Sequence, residues 1–203
     1  FPPALQREFM FPYERGTEFV LAIMLETRQL SADDIFADPP LSTEQILHPE
    51  KYLAGEEPIA VEAPDLSAHL GSAWRLEESN TLGEFGLQNY LLTYLDDQGA
   101  AEEAAAGWGG DRWALYKTDD GRKLLFLSLA WDALEEASEF FATYLDWLDK
   151  RSGGQWWQYA DQPDSAWWLS SEKNIYVHWD QAKVTIVISS DEAALKAVTP
   201  ALQ

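Results

Sequence analysis

The hydrophobic pattern changes period at Gly107, and this change constrains the fold more than any other feature of the chain. Downstream, apolar residues come in short runs. Residues 112–117 and 123–131 read as two strands joined by Thr118-Asp119-Asp120-Gly121-Arg122, and Asp-Gly between apolar runs is a strong hairpin signal. Asp132 and Glu135 open a helix that runs to Lys150. Its expected buried stripe is Leu134, Ala137, Phe141, Leu145 and Leu148, and Lys150-Arg151 suit the negative end of its dipole. Gly153-Gly154 reads as a loop. Residues 166–170, 174–179 and 183–188 are three further strands, the last nearly continuous in apolar content and so expected at the centre of the sheet. Ser189 or Ser190 is expected to cap a last helix over 191–198.

Upstream of Gly107 the spacing is mainly helical. Over 11–27, Phe19, Val20, Ile23 and Met24 follow the helical repeat while Leu21, Ala22 and Leu25 fill the other faces. A helix apolar all round is expected to be buried, with Gly16 marking close packing on a neighbour. Ser31 caps a short turn through Asp33, Asp34, Ile35 and Phe36. Residues 55–58 read as loop, 59–63 as a short strand and 74–78 as a weaker one. Asn80 is placed as the N-cap of a helix over 81–95, with Leu82, Phe85, Tyr90 or Leu91, and Tyr94 or Leu95 on its stripe. Residues 99–106, rich in alanine and glutamate, form a second helix ending in glycine. Helices and strands are segregated. The expected fold is α+β: a mainly helical N-terminal half packed on a largely antiparallel sheet with the order β-β-α-β-β-β-α. A helical region 1–106 and a sheet region 107–203 follow, with the break near 99–107, or the two together make one compact domain.

Within the helical region one run stands out, Pro39-Pro40-Leu41-Ser42-Thr43-Glu44-Gln45-Ile46-Leu47-His48-Pro49-Glu50-Lys51-Tyr52. Ser42 and Gln45 have capping-box spacing. Pro49 disfavours helical geometry at His48 and ends the helix there. A helix of about two turns is expected, since one turn takes about 3.6 residues. On it Glu44 and His48, four apart, share a face.

Composition removes several function classes. Among 203 residues there is no cysteine, which excludes disulfides, thiolate metal sites and cysteine nucleophiles. The formal charge of −21 repels phosphate, so nucleic acid and anionic membranes are poor partners, while cations and basic peptides are attracted. No run of about 20 apolar residues occurs, so no membrane-spanning helix is expected. The opening at Phe1-Pro2-Pro3, without an initiator methionine, reads as a mature fragment or excised domain of a longer, secreted or cell-envelope precursor. Ten tryptophans are many for this length.

Three runs together carry a resemblance: Pro40 to Tyr52 as written above, Leu82-Gly83-Glu84, and Gly107-Trp108-Gly109-Gly110-Asp111-Arg112, with Phe11-Pro12-Tyr13, Gly16 and Phe19-Val20 ahead of them. The chain resembles the C-terminal part of bacterial proteins similar to zinc metallopeptidases of the gluzincin type. That resemblance implies a helix with His-Glu-x-x-His and a downstream glutamate, holding zinc and a bound water. The motif is missing here. The only histidines are His48, His69 and His178, and none is spaced as a ligand pair. No metal ligand and no cofactor is therefore assigned, and hydrolysis by this chain alone is not expected.

The residues that stand out are Glu44 and His48, Glu84 in the first turn of its helix, Asp111 and Arg112, and the aromatics Trp108, Trp156, Trp157, Trp167 and Trp168. Glu44–His48 reads as a local helix-end pair, or as a general acid/base pair, or as groups completing a site made with an upstream domain. Gly107 to Arg112 reads as a tight turn into the first strand with Asp111 or Arg112 in a buried ion pair, or as backbone amides presented to a ligand. In Trp156-Trp157-Gln158-Tyr159 and Trp167-Trp168, one ring of each pair is expected in the core and the other on a sheet face; exposed rings would offer a surface for sugars or a protein. The expected function is a non-catalytic, metallopeptidase-related module, structural or binding a protein, a peptide or an upstream domain of the same precursor. A peptidase-like hydrolase lacking its zinc half and a carbohydrate-binding module are the alternatives.

Overall fold

Contacts divide the chain into two interleaved units, Phe1–Pro58 with Gly83–Ala106, and Ile59–Leu82 with Gly107–Gln203. The structure is a computed structural model describing all residues except Gln29, Tyr94, Asp96, Gly154, Gln155 and Gln203, and only the backbone of residues 158–162. The stripe position at Tyr94 and the loop at Gly154 lie outside the described residues.

The first unit is helical: α1 (Pro3–Thr27), α2 (Ala32–Ala37), α3 (Thr43–Leu47) and α4 (Pro49–Ala54). The second unit intervenes with α5 (Ser67–Leu70) and β1 (Trp74–Asn80) before the first resumes with α6 (Gly83–Leu91) and α7 (Gln98–Ala105). Helix α1 begins eight residues earlier than the spacing over 11–27 predicts, with Pro3 in its first turn and Pro12 inside it. It is not buried all round. Only Phe11, Phe19 and Ile23 are buried, and Leu25 is 76% exposed. The face that carries them packs on its neighbours: Phe19, Ile23 and Ile35 form a small core with Ile46, Tyr52 and Leu53 around it, and Phe11 stacks on Phe85 at 4.0 Å between ring centroids. A Cβ at Gly16 would meet nothing within 4 Å, so that glycine marks no close packing. Ser31 does cap α2, accepting from Asp34 N while Asp34 accepts from Ser31 N.

The second unit holds a seven-stranded, wholly antiparallel sheet of order β1-β2-β3-β7-β6-β5-β4. Its remaining elements are β2 (Trp108–Thr118), β3 (Lys123–Trp131), α8 (Leu134–Ser152), β4 (Trp157–Gln162), β5 (Ser165–Leu169), β6 (Asn174–Asp180), β7 (Lys183–Ser189) and α9 (Glu192–Val198). Strand β7 is central, as its continuous apolar pattern requires. The fold class is α+β. The order after Gly107 gains one strand, β4, which the aromatic-rich run at 156–162 conceals. The boundary also moves. Residues 59–82 leave the helical region, because Leu66 and Trp74 are buried in the sheet core and β1 pairs with β2.

Successive strand residues face opposite sides. On one side Leu124, Phe126, Tyr176 and Val187 pack with Ala194, Leu195 and Val198 of α9. On the other, Phe140 of α8 meets Trp131 at 4.5 Å between ring centroids and Phe141 meets Trp179 at 5.8 Å. The buried residues of α8 are Ala137, Phe140, Phe141, Tyr144, Trp147, Leu148 and Ser152. The stripe is rotated from the expected one: Leu134 is exposed and Leu145 half-buried. Three local expectations also change. Residues 59–63 form no strand; Ile59 N donates to Gly109 O. Asn80 ends β1 rather than capping a helix, and α6 begins at Gly83. Asp191, not Ser189 or Ser190, caps α9, accepting from Ala193 N and Ala194 N. Arg122 ties that cap to the β2–β3 turn, 2.6 Å from Asp191 and 3.0 Å from Asp120, and with Thr118 it pulls Asp120 down to about 2. Among the described residues no helix is long and apolar enough to cross a membrane.

Candidate functional site

The Pro-rich run folds as two short helices around His48. Ser42 Oγ accepts from Gln45 N at 3.1 Å. Gln45 does not close the capping box: its Oε1 accepts from Leu41 N and its Nε2 donates to Glu56 O, both at 2.6 Å. Helix α3 has five residues, not two full turns. Pro49 ends it and also starts α4, because the first helical position tolerates a missing N–H. His48 is the junction residue: its N donates to Glu44 O at 2.7 Å and its O accepts from Lys51 N at 2.9 Å.

The side chains of Glu44 and His48 do not pair with each other. Glu44 is buried, and Lys51 Nζ bridges it to Glu56 at 2.6 and 2.7 Å. His48 turns instead to Glu84 of α6, with Nε2 3.0 Å from both carboxylate oxygens. Glu84 is 1% exposed, and Gln88, one turn on, donates to its Oε1 at 3.1 Å. A negative charge in the first turn of a helix is favoured by the dipole. Thr43 of α3 fixes that turn, its Oγ1 accepting from Phe85 N at 3.3 Å. Gly83 is needed there: φ is +74°, and a Cβ would strike Thr43 Oγ1. The hydrogen bond to Glu84 raises the pKa of His48 above its ordinary value; Glu84, Glu50 and Glu44 add to this by charge, while burial opposes it.

This dyad opens on a cleft of about 360 Å³. Leu47 and Ala106 are its apolar walls; Arg15, Gln88, Glu102 and Glu103 complete the polar lining. Arg15 is 2.9 Å from Glu18 and 4.0 Å from Glu102. Among the described residues, the cleft gathers three carboxylates against one guanidinium and one imidazole, and no hydroxyl, thiol or amine side chain lines it. Sequence reasoning missed Arg15, Gln88, Glu102 and Glu103. The Glu84–Gln88 spacing of four was the legible signal for Gln88; Arg15 on α1 and Glu102 and Glu103 on α7 have none.

The remaining candidates lie in the sheet unit. Gly109 and Gly110 are strand residues of β2, not a turn, and a Cβ on Gly110 would strike the Ile59 carbonyl. Buried Asp111 accepts from Trp108 Nε1 at 3.1 Å and Leu82 N at 2.8 Å. Arg112 Nε donates to Ser79 Oγ at 3.0 Å. Trp108 is buried, as are both Trp167 and Trp168, which alternate to opposite sheet faces; Trp168 Nε1 donates to Asp149 of α8 at 3.2 Å. Arg151 lies over Trp156 at 5.5 Å, and Trp157 is 68% exposed. The side chains of Gln158 and Tyr159 are outside the described residues. Among the described residues, none of the three histidines belongs to a cluster able to hold a metal ion.

Residues 73–199, more than half of the chain, match a family described as a domain of unknown function, DUF8575. The chain belongs to DUF8575. The DUF8575 match contains the sheet from β1 to β7 together with Glu84, Gln88, Glu102 and Glu103, while Arg15 and His48 precede it. No curated protein matches. A GTP binding regulator from Thermotoga maritima is similar over 70% of this chain and 89% of its own, at 17% identity and a TM-score of 0.34. The extracellular domain of PknH from Mycobacterium tuberculosis is similar over 72% of this chain and 98% of its own, at 12% identity and a TM-score of 0.45. At those scores neither similarity bears on function.

Proposed function

We propose that the chain is a non-catalytic binding module whose helical unit takes a cationic side chain of a basic peptide or protein in the His48–Glu84 cleft. The observation that carries this reading is the cleft's composition: Glu84, Glu102 and Glu103 outnumber Arg15 and His48, and no hydroxyl, thiol or amine side chain lines it among the described residues. A net charge of −21 draws basic partners toward the surface as a whole, and the cleft gives them a place to dock. The kinship with gluzincin-type metallopeptidases belongs to the same proposal, as a lineage without its His-Glu-x-x-His helix. One observation favours a second reading. A buried carboxylate behind an imidazole is a common general-base arrangement, and it would serve a hydrolase that activates water.

A fluorescein-labelled octapeptide alternating lysine and alanine separates the two. Its anisotropy should rise saturably with the protein, fall with added salt, and weaken several-fold in a Glu102→Gln, Glu103→Gln variant, with the peptide recovered intact. An unchanged affinity in that variant, or cleaved peptide in the mass spectrum, overturns the proposal. So does one equivalent of zinc retained by the purified chain, which would point to metal-dependent hydrolysis.

A further inference from the structure

We propose a second site in the sheet unit, a groove that recognises a monocarboxylate with an apolar body through the guanidinium of Arg112. Alternation along β2 puts Arg112, Ala114 and Tyr116 on one sheet face, and register sets Ser79 opposite Ala114 and Leu76 opposite Tyr116. The run 61–65, outside any helix or strand, passes alongside. Tyr116 Oη anchors it, accepting from Leu66 N at 3.3 Å and donating to Pro64 O at 3.4 Å. Between the run and the strands lies a groove of about 380 Å³. Val61, Ala63, Leu76 and Tyr116 supply its apolar walls.

Arg112 is held for this role. Ser79 Oγ donates to Trp113 O at 2.9 Å, which leaves its lone pair to accept from Arg112 Nε at 3.0 Å. The terminal nitrogens of Arg112 make no hydrogen bond or ion pair among the described residues. On the same two strands Arg75 pairs with Asp119 and Lys117 with Glu77, so carboxylates are within easy reach of cations here. A planar guanidinium oriented through Nε presents its remaining donors as a fork, the geometry that binds a carboxylate with two parallel hydrogen bonds. Glu62 and Asp65 also line the groove. With Arg112 they leave the groove a net charge of −1, so an anion is held there only by the directed hydrogen bonds of the guanidinium fork, and a phosphate dianion is disfavoured more than a single carboxylate. The apolar walls select a ligand whose carboxylate sits on a hydrocarbon body, as in a free apolar amino acid derivative or the C-terminus of a peptide.

Residue-resolved amide NMR of the ¹⁵N-labelled full chain tests this. N-acetyl-L-leucine should shift residues 61–65, 76–79 and 112–116 saturably, and N-acetyl-L-leucinamide should not. Arg112→Gln should abolish the shifts. Arg112→Lys, which keeps the charge and loses the fork, should weaken them and guards against an unfolded Gln variant. Tighter binding of acetyl-Ala-Ala-Leu than of N-acetyl-L-leucine assigns a peptide C-terminus, and equal binding assigns a small free carboxylate. The proposal is overturned by absent shifts, by equal shifts with the amide, by stronger binding of inorganic phosphate, or by wild-type binding in folded Arg112→Gln.

Discussion

His48 illustrates what a single residue reveals before its structure is known. Ser42 and Pro49 mark the ends of its helix in the sequence, so its place at a rigid junction is legible. Its partner is not, because Glu84 lies 36 residues away and local spacing points to Glu44. The burial of Glu84 makes the pair consequential. His48→Ala would leave a buried carboxylate supported by Gln88 with its imidazole gone, which costs about 1–3 kcal/mol; the urea midpoint at about pH 6 measures it. The pH dependence has a definite sign. Glu84 raises the pKa of His48, so the stabilisation is complete below the unfolded value of about 6.5 and is lost as pH rises through the higher folded value. Wild-type midpoints should therefore fall above about pH 6.5 relative to those of His48→Ala, the two curves converging at alkaline pH. Parallel curves throughout would remove the Glu84 interaction from the account.

At the scale of elements, two glycine positions exchange the roles that their surroundings suggest. Gly16, in an apolar helix, reads as a packing contact, yet its surroundings are open. Gly109-Gly110, after a helix and before a strand, reads as a turn, yet Ile59 backbone crosses Gly110 too closely for a side chain. A glycine in a strand pattern often marks such an approach, but which segment approaches is a tertiary fact. Opposite outcomes follow. Gly16→Ala should raise the unfolding free energy by about 0.5–1 kcal/mol, the usual penalty of glycine inside a helix. Gly110→Ala should lower it by about 1–3 kcal/mol, as overpacking does. Matching signs in the two urea titrations would mean that the Ile59 contact yields freely. The same limit explains the tryptophan pairs. Alternation predicts that Trp167 and Trp168 face opposite ways, but only the layers of helix on both faces decide that both are buried.

For the whole molecule, the change of period at Gly107 is legible because it is local, and the interleaving of the units is not because it depends on where 59–82 goes. A cut between 106 and 107 is what the sequence pattern suggests, and it removes β1 from the sheet. Strand β1 pairs with β2 from Trp74 opposite Thr118 to Asn80 opposite Trp113. Leu66 and Trp74, both buried, share a core with Tyr116, Leu124 and Phe126. A fragment of residues 107–203 should therefore expose the edge of β2 and leave a void where these two side chains pack. Unpaired edges promote association, and the loss of one large buried side chain alone costs about 3–5 kcal/mol, a large part of a domain's roughly 5–15 kcal/mol. The fragment should elute as aggregate or melt without a cooperative transition by circular dichroism, while the full chain retains one. A monomeric 107–203 fragment melting cooperatively near the temperature of the full chain would show that 59–82 is dispensable to the sheet, and would restore the simple boundary at Gly107.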